Sequence, residues 1–528
     1  MKSLMKKVFA AAAAIATVFG LAATTVATAN AADNATLTVS TTDAKFAGKT
    51  VNAYKMFSAT VSGDGKAVSY TLTDEWKPFF KNSVGLTGVT DANINDKAND
   101  YVSKLKDSTL VAFATKASNW AQTKANNITA DATATVSADA SNGKYTATFT
   151  GLGYGYYVVA VPGATLANAK SQYATLVSVH STKVDADIKG DLPTVDKKVQ
   201  VDGTGKDATD AKIGDTLTFT LTSTIPDMSA YDTYTFNFKD TLSKGLTFGQ
   251  VKSVKVENVT LTENTDYTVT TPTASNNNTL TVAMKDFKTK QQANAGKKIT
   301  VTYTATLNEN AVVGGAGNVN SAKIQYSNNP STNGTGESEP SKVRVFTYGF
   351  TVDKYTGDQY TDAATRLAGA EFTLAHKDGS AISFVQVSAG SATANAVYRV
   401  AKAGETGTTT ITTPANGKVV FEGLKNGEYT LTETKAPAGY NKLASAIGVK
   451  VNGQNNGTDT TNATVTITYN NDNGNDYNQT ASNGVIPVQN KSGAILPGTG
   501  GMGTIAFTVI GVLVIALGVA WTLKRKNA

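Results

Sequence analysis

The chain has 528 residues, a formal net charge of +7, two histidines and no cysteine. Without cysteine it can form neither a disulfide nor a thiol-based active site, and His180 and His376 alone leave little for zinc catalysis or a Ser-His-Asp triad. Most of the net charge lies in two terminal segments, so the chain between them is nearly neutral and nucleic-acid binding is not expected. These charges are Lys2, Lys6, Lys7, Lys524, Arg525 and Lys526.

Residues 1–31 are predicted to be a secretory signal peptide. Three lysines precede an apolar run from Val8 to about Ala23, and Ala29-Asn-Ala31 provides small residues for cleavage. A membrane anchor is the alternative, but the apolar run is short and rich in alanine and threonine. We therefore expect a secreted protein.

Residues 32–190 are predicted to form a first β domain with a helical insertion at about 75–127. Apolar residues recur at helical spacing from Ser108 to about Lys124, with Ser108 as a candidate cap. They are Leu110, Phe113, Ala117, Trp120 and Ala121.

Residues 191–347 are predicted to form a second β domain, because threonine alternates with apolar residues, as in Thr300–Leu307. Polar residues fall in phase with the apolar ones on three strands. Lys197, rather than Lys198, is in phase with its valine neighbours; Asp240 shares a face with phenylalanines; and Asn320 shares one with Ala322, although Asn318 fits as well. The alternative is that these are ordinary polar residues at strand ends.

Residues 348–494 are predicted to form a third β domain with the same pattern. Lys354 is in phase with Phe350 and Val352, Glu433 with Tyr429 and Leu431, and Asn490 with Ile486 and Val488. Because side chains alternate along a strand, a lysine, a carboxyl and an amide should enter one core. A surface Lys354–Glu433 salt bridge with an unrelated Asn490 is the alternative.

An internal repeat relates the first domain to the third. Phe149–Tyr157 matches Phe421–Tyr429, and each is read as a strand, a glycine turn and a second strand. On this alignment Thr41 takes the place of Lys354, and Val161 takes the place of Glu433. The first domain should therefore lack the cluster. The fold class predicted for the whole chain is mainly β, with three immunoglobulin-like β-sandwiches in tandem.

Residues 495–528 carry a motif, an apolar stretch and basic residues, in that order. The motif is followed by residues 505–523, which are long enough for a transmembrane helix, and then by Lys524-Arg-Lys526. The motif consists of Leu496, Pro497, Gly498, Thr499 and Gly500.

The buried lysine, acid and asparagine indicate a chemical reaction. Burial favours the neutral forms of an amine and a carboxyl. A neutral amine held against an amide can attack its carbonyl while the acid polarises that carbonyl and protonates the departing nitrogen, and fixed proximity lowers the barrier. The expected products are Lys354–Asn490 and Lys197–Asn320 isopeptide bonds, with Glu433 and Asp240 as helpers.

These motifs resemble a known family. The segment Val-Asp-Lys354, the segment from Tyr429 to Glu433 followed by Lys-Ala-Pro-Ala-Gly439-Tyr440, and Val-Gln-Asn490 resemble the CnaB-type domains of backbone (major shaft) pilins from Gram-positive pili, or fimbriae. The terminal motif resembles the LPxTG cell-wall sorting signal, which sortase cuts between Thr and Gly. The resemblance implies a structural subunit rather than an enzyme.

The resemblance also implies partners. The expected partners are a pilus-type sortase and then a housekeeping sortase, identical subunits in a covalent homopolymer, tip or minor pilins, and peptidoglycan. The protein would be located at the cell wall. It would serve adhesion to host surfaces or other cells through a ligand that the sequence does not identify.

Polymerisation needs a lysine that attacks the acyl-enzyme at Thr499. The family's Tyr-Pro-Lys-Asn is absent, and Lys189 holds its place, with Lys183 as competitor. Gly190 and Pro193 favour an extended, accessible stretch there. The alternative is a monomeric LPxTG-anchored adhesin, and an anchored enzyme is a distant third.

Overall fold

A computed structural model describes residues 34–62, 67–164, 174–229, 231–328, 334–361, 364–454, 463–471, 476–493 and 502–526. The chain divides into two compact units. One comprises Met1–Thr347 with Gly453–Thr464, and the other comprises Tyr348–Asn452 with Val465–Ala528. The fold is mainly β, as the alternating sequence predicts.

The first eight strands form two facing sheets, in the orders β5-β1-β8 and β3-β2-β6-β7, with β4 beside β2. Their inward side chains, such as Val39 and Tyr157, are buried in one core. The strands are β1 (Ala35–Thr41), β2 (Thr50–Val61), β3 (Val68–Leu72), β4 (Ala132–Thr135), β5 (Tyr145–Leu152), β6 (Gly155–Ala160), β7 (Ala174–Val179) and β8 (Lys183–Asp187).

The predicted helical insertion is present and contains two α-helices, α1 (Ile94–Ser103) and α2 (Asp107–Gln122). Helix α2 begins one residue before the predicted cap Ser108, because Lys106 is the N-cap and its backbone N–H bonds Thr109 Oγ1. Phe113 packs in an aromatic core of the insertion. Shorter helical turns are Ala44–Phe46, Asp74–Trp76, the π-helix Phe79–Val84 and Lys124–Asn126.

The next strands form a second sandwich with sheet orders β10-β9-β12-β18-β14-β15 and β11-β21-β19-β13-β17-β16, with β20 beside β19. Its core is continuous with that of the first eight strands. The strands are β9 (Asp196–Val201), β10 (Thr204–Lys206), β11 (Ala208–Asp210), β12 (Thr216–Thr224), β13 (Phe236–Leu242), β14 (Leu246–Val256), β15 (Val259–Thr260), β16 (Tyr267–Thr270), β17 (Thr279–Met284), β18 (Lys298–Leu307), β19 (Asn318–Ser327), β20 (Thr335–Glu337) and β21 (Ser341–Phe346). The helical turns are Ala274–Asn276, α3 (Phe287–Gln291) and Gln292–Asn294.

The remaining strands form the sheets β23-β22-β28-β26-β25, with β33 beside β22, and β27-β24-β29-β30-β31-β32. The strands are β22 (Tyr348–Thr356), β23 (Thr365–Arg366), β24 (Glu371–His376), β25 (Phe384–Ser388), β26 (Ala396–Val400), β27 (Ile411–Thr412), β28 (Lys418–Leu424), β29 (Gly427–Lys435), β30 (Ile447–Gln454), β31 (Thr464–Asn470), β32 (Gln479–Thr480) and β33 (Val485–Gln489). A 3-10 turn, Ser482–Gly484, precedes β33.

The sequence repeat corresponds to a repeated arrangement of strands. β1 pairs antiparallel with β5 and parallel with β8, just as β22 pairs antiparallel with β28 and parallel with β33. In both turns a glycine has positive φ, 72° at Gly151 and 83° at Gly423, which side chains disfavour. The tyrosine that follows donates to a backbone carbonyl four residues earlier, at Gly153 from Tyr157 and at Lys425 from Tyr429.

The final helix, α4 (Met502–Lys526), includes the segment predicted to cross a membrane. Among the residues that the structure describes, no helix is long and apolar enough to do so, and the predicted span 505–523 is therefore not supported.

Candidate functional site

The second compact unit brings together Lys354, Glu433 and Asn490. All three are buried, and the Glu433 carboxylate lies between the other two. Its Oε1 is 3.1 Å from Lys354 Nζ, and its Oε2 is 3.1 Å from the Asn490 Nδ2 that donates to it. A second bond from Asn490 Nδ2 reaches the carbonyl of Asn441 at 2.8 Å, and Leu443 N donates to Glu433 Oε2 at 2.8 Å.

Strand pairing places these three side chains. Lys354 lies in β22, which pairs in parallel with β33, and the Asn490 N–H that follows β33 donates to the Tyr355 carbonyl. Glu433 comes from β29 in the facing sheet. The lysine and the amide therefore enter from neighbouring strands, and the acid reaches them across the core.

The electrostatics of this cluster shift Lys354 toward its neutral form. Burial lowers the pKa of Lys354 to about 8, and the adjacent Glu433 carboxylate offsets only part of that effect. Asn490 Oδ1 accepts no hydrogen bond from the residues that the structure describes, so the amide is not locked in place through its oxygen. An amine, an acid and an amide in contact are the groups that an amide exchange requires.

The first compact unit contains a second cluster, around Lys197 and Asp240. Lys197 Nζ donates to Asp240 Oδ2 and, at 2.9 Å, to the hydroxyl of Tyr303. Tyr303 donates to Asp240 Oδ2 at 2.6 Å and accepts from Asn320 Nδ2 at 2.6 Å. All four side chains are buried. Lys197 and Tyr303 come from one sheet, and Asp240 and Asn320 come from the other.

Lys197 also has an apolar environment. Its Nζ lies 5.1 Å from the ring centroids of Phe219 and Tyr303. Burial lowers the pKa of Lys197 to about 8 against the opposing effect of Asp240. The neighbouring Lys198 is partly exposed and pairs instead with Asp207 at 2.5 Å.

The two asparagines that the sequence left open have different surroundings. Asn318 is buried too, but its amide is used by the backbone: Nδ2 donates to the carbonyls of Val312 and Val345, and Oδ1 accepts from Val312 N. Asn320 is the one that reaches the cluster, and its Oδ1 accepts no hydrogen bond within the described part of the chain.

Sequence reasoning missed Tyr303. A signal was present, since Tyr303 is in phase with Val301 and Ala305 on a strand already assigned as half-buried. Its ring was therefore predictable as core, but the contacts of its hydroxyl depend on two strands of the other sheet.

The first eight strands hold no equivalent cluster. Thr41 and the buried Val161 stand at the positions aligned with Lys354 and Glu433. Among their described residues and those of the helical insertion, the buried polar side chains are Ser118 and Gln122, both in helix α2.

The two candidate polymerisation lysines lie at opposite ends of one short segment. Lys183 begins β8 and is exposed, whereas Lys189 follows β8, is 31% exposed and pairs with Asp187 at 3.6 Å. Leu192 and Pro193 are buried, so the stretch after Lys189 is less accessible than its glycine and proline suggested.

Other predicted features lie outside the described residues. These are the signal peptide 1–31 and the sorting motif from Leu496 to Gly500. The described part of the chain holds no group of acidic, histidine or cysteine residues able to bind a metal ion.

Two family models match this chain. Residues 213–330 match the Gram-positive pilin backbone subunit 2, Cna-B-like domain, and residues 358–466 match the SpaA prealbumin-like fold domain. This chain carries Gram-positive pilin domains. The predicted resemblance to backbone pilins is confirmed, and these pilin domains belong to structural subunits rather than enzymes.

Relatives of the pilin domains include the trypsin-resistant surface T6 protein of Streptococcus pyogenes serotype M6, which is 26% identical over 279 residues. That match covers 48% of this chain and 44% of the relative, so the chain spans less than half of its length.

Solved structures with similar architecture include the T6 backbone pilin of Streptococcus pyogenes, with 18% identity, 87% of this chain and 99% of that chain covered, and a TM-score of 0.47. The full-length major pilin SpaD of Corynebacterium diphtheriae has 20% identity, 88% and 98% coverage, and a TM-score of 0.40.

Proposed function

We propose that this chain is the repeating shaft subunit of a covalent pilus on a Gram-positive cell surface. The observation that carries the proposal is a buried Lys–acid–amide cluster in each of the last two β-sandwiches, at Lys197 and at Lys354. The proposed bonds would join β9 to β19 in the second domain, and β22 to the residue that follows β33 in the third.

Each cluster would form one isopeptide bond. In the third domain Lys354 Nζ attacks the Asn490 carbonyl carbon, Glu433 supplies the proton that lets ammonia leave, and the new amide retains one lysine hydrogen. In the second domain Lys197 and Asn320 react in the same way beside Asp240. Proximity in a rigid core supplies the rate, because each lysine and its asparagine are already held in one buried cluster.

Polymerisation would proceed through the terminal motif. Sortase cuts between Thr499 and Gly500, and Lys189 of the next subunit attacks the resulting acyl-enzyme. A housekeeping sortase then transfers the polymer to peptidoglycan, and minor pilins occupy the tip. The shaft would serve adhesion to host surfaces or other cells.

A single wall-anchored adhesin is the second candidate. Lys189 is only partly exposed and is paired with Asp187, and the family's Tyr-Pro-Lys-Asn is missing. These two observations favour a chain that is anchored but not polymerised.

An immunoblot of cell-wall extracts, boiled in SDS, distinguishes the two candidates. The unsubstituted subunit should give a ladder, Lys189→Ala should give a monomer, and Lys183→Ala should give a ladder. If only Lys183→Ala loses the ladder, Lys183 is the lysine that joins the subunits. If the unsubstituted chain gives a single band, the protein is the anchored adhesin and not a shaft subunit. The measured mass of the intact monomer should be lower than the mass calculated from its sequence by two ammonia molecules. A measured mass equal to the calculated one would contradict both cross-links.

A further inference from the structure

The hydroxyl of Tyr303 occupies the centre of the second-domain cluster. It lies 2.9 Å from Lys197 Nζ, 2.6 Å from Asp240 Oδ2 and 2.6 Å from Asn320 Nδ2. It thus touches the attacking nitrogen, the acid and the leaving nitrogen of the exchange proposed above.

The third-domain cluster does without such a hydroxyl. There Glu433 itself contacts both Lys354 and the amide nitrogen of Asn490. Aspartate is one methylene shorter, and in the described part of the chain Asp240 has no hydrogen bond to Asn320. The phenol hydroxyl fills the gap between Asp240 and the amide.

The ring of Tyr303 is held rigidly in place. β18 is flanked on both sides by β12 and β14, and the ring stacks on Phe219 with centroids 5.3 Å apart and planes 18° apart. Burial, with the Asp240 carboxylate beside it, holds the pKa of Tyr303 well above its ordinary value. The phenol therefore keeps its proton and is a potential donor.

We propose that Tyr303 is a catalytic residue of the Lys197–Asn320 cross-link, relaying a proton from Asp240 to the departing amide nitrogen. This inference rests on the isopeptide chemistry proposed above. It adds a residue that the third-domain site does not use.

The relay balances. The proton of the Lys197 ammonium first moves to Asp240, which leaves a neutral amine and a neutral acid. As Nζ bonds to the Asn320 carbon, the Tyr303 hydroxyl gives its proton to Nδ2 and takes one from Asp240. The carbon–nitrogen bond breaks, ammonia leaves, and the Asp240 carboxylate recovers the surplus proton of the former lysine nitrogen. Asp240, a carboxylate at the start, therefore ends as the neutral acid that holds this proton, the net charge of the cluster is conserved, and Tyr303 is unchanged.

The test follows cross-linking of the full chain made in a cell-free reaction. Portions are quenched at set times and digested, and mass spectrometry measures the fraction of Lys197 peptide joined to Asn320 peptide. Tyr303→Phe keeps the stacked ring and removes the hydroxyl. Loss of a general acid should slow joining by about 100-fold or more. The Lys354–Asn490 branch in the same molecules should form at the unsubstituted rate.

Two control variants separate chemistry from folding. Tyr234→Phe removes a buried hydroxyl of the same sandwich that has no hydrogen-bond partner among the described residues, and it should join at the unsubstituted rate. Asn320→Ala gives the folded but unjoined reference, and the far-UV circular dichroism of Tyr303→Phe, which reports the β-sheets, should match it.

Several outcomes would overturn the relay. Joining of Tyr303→Phe at the unsubstituted rate would remove Tyr303 from the reaction while leaving the proposed function intact. A native spectrum for Asn320→Ala but not for Tyr303→Phe would assign the hydroxyl to folding instead. Absence of the Lys197–Asn320 branch in the unsubstituted chain would overturn both the relay and the second cross-link.

Discussion

Lys197 and Lys354 have amino groups with no exposure to solvent, each beside one carboxylate. A buried ion pair is poor evidence for stabilisation, because the desolvation of two charges can exceed their attraction. Two such pairs, in successive sandwiches along the chain and each with an asparagine amide close by, are what the proposed isopeptide chemistry requires. The lowered pKa of both lysines fits that explanation.

Lys354 predicts a pH dependence in the unjoined protein. In Asn490→Ala the lysine stays free, with its folded-state pKa lowered to about 8, whereas an unfolded lysine titrates near about 10.4. Between these values the unfolded chain binds more protons, so the free energy of unfolding should rise with pH; below about 8 this contribution should be flat. Urea denaturation from pH 7 to about 9 measures it, below the pH at which most unfolded tyrosines ionise.

The double variant Lys354→Met with Asn490→Ala is the control for this pH effect. It removes the titrating amine and should lose the rise. Equal slopes in the two variants would mean that Lys354 keeps its proton in the folded protein.

At the scale of elements, β22 is covered on both faces near its end. Asp353 points away from Lys354 and is nevertheless fully buried. Its carboxylate lies 2.7 Å from Arg366 Nε and 3.7 Å from Lys418 Nζ, and it accepts from the hydroxyl of Tyr360 at 2.9 Å. Arg366 belongs to β23 and Lys418 to β28, so this carboxylate ties β22 to both of its antiparallel neighbours.

Asp353→Ala should therefore destabilise the third domain. Removal leaves Arg366 half-buried without its partner, and breaking a buried pair costs about 3 kcal/mol. The measurement is urea unfolding in the Asn490→Ala background, where a cross-link cannot mask the loss. Asp358→Ala, an exposed carboxylate in the same segment, should change the free energy of unfolding by less than about 0.5 kcal/mol. Equal effects of the two substitutions would contradict this role for Asp353.

At the scale of the molecule, each lysine cluster lies within one compact unit. The Lys197 cluster belongs to the unit whose core is continuous through two sandwiches, and the Lys354 cluster belongs to the other unit. Each proposed bond would therefore restrain the unfolding of its own unit.

Calorimetry should accordingly show two transitions that respond separately. Asn490→Ala removes a bond that closes a long loop, which by analogy with disulfides is worth up to about 4 kcal/mol, or a fall of about 10 °C or more in one Tm. Asn320→Ala should lower the other Tm and leave the first in place. A shift of both transitions by either single substitution would mean that the units unfold together.

The sequence alone determined which residues share a face of each strand. Period two fixes side-chain direction locally, so Lys354 in phase with Phe350 and Val352 had to face inward wherever the strand was packed. The repeat similarly predicted two glycine turns of the same kind. Positive φ is favoured by glycine at that position, whatever the rest of the fold, because glycine has no side chain. The mainly β fold and the helical insertion followed from the same local patterns.

Only the tertiary structure decided which in-phase residues meet. Asn318 and Asn320 share one face of β19 and are equivalent by pattern, yet only Asn320 lies opposite Tyr303, because the crossing of two sheets sets that distance. Alternation places Asp353 on the face of β22 opposite Lys354, and that face is buried as well because Tyr360, Arg366 and Lys418 cover it. Periodicity describes a strand and its own two faces, whereas contacts across a core depend on how separate strands pack.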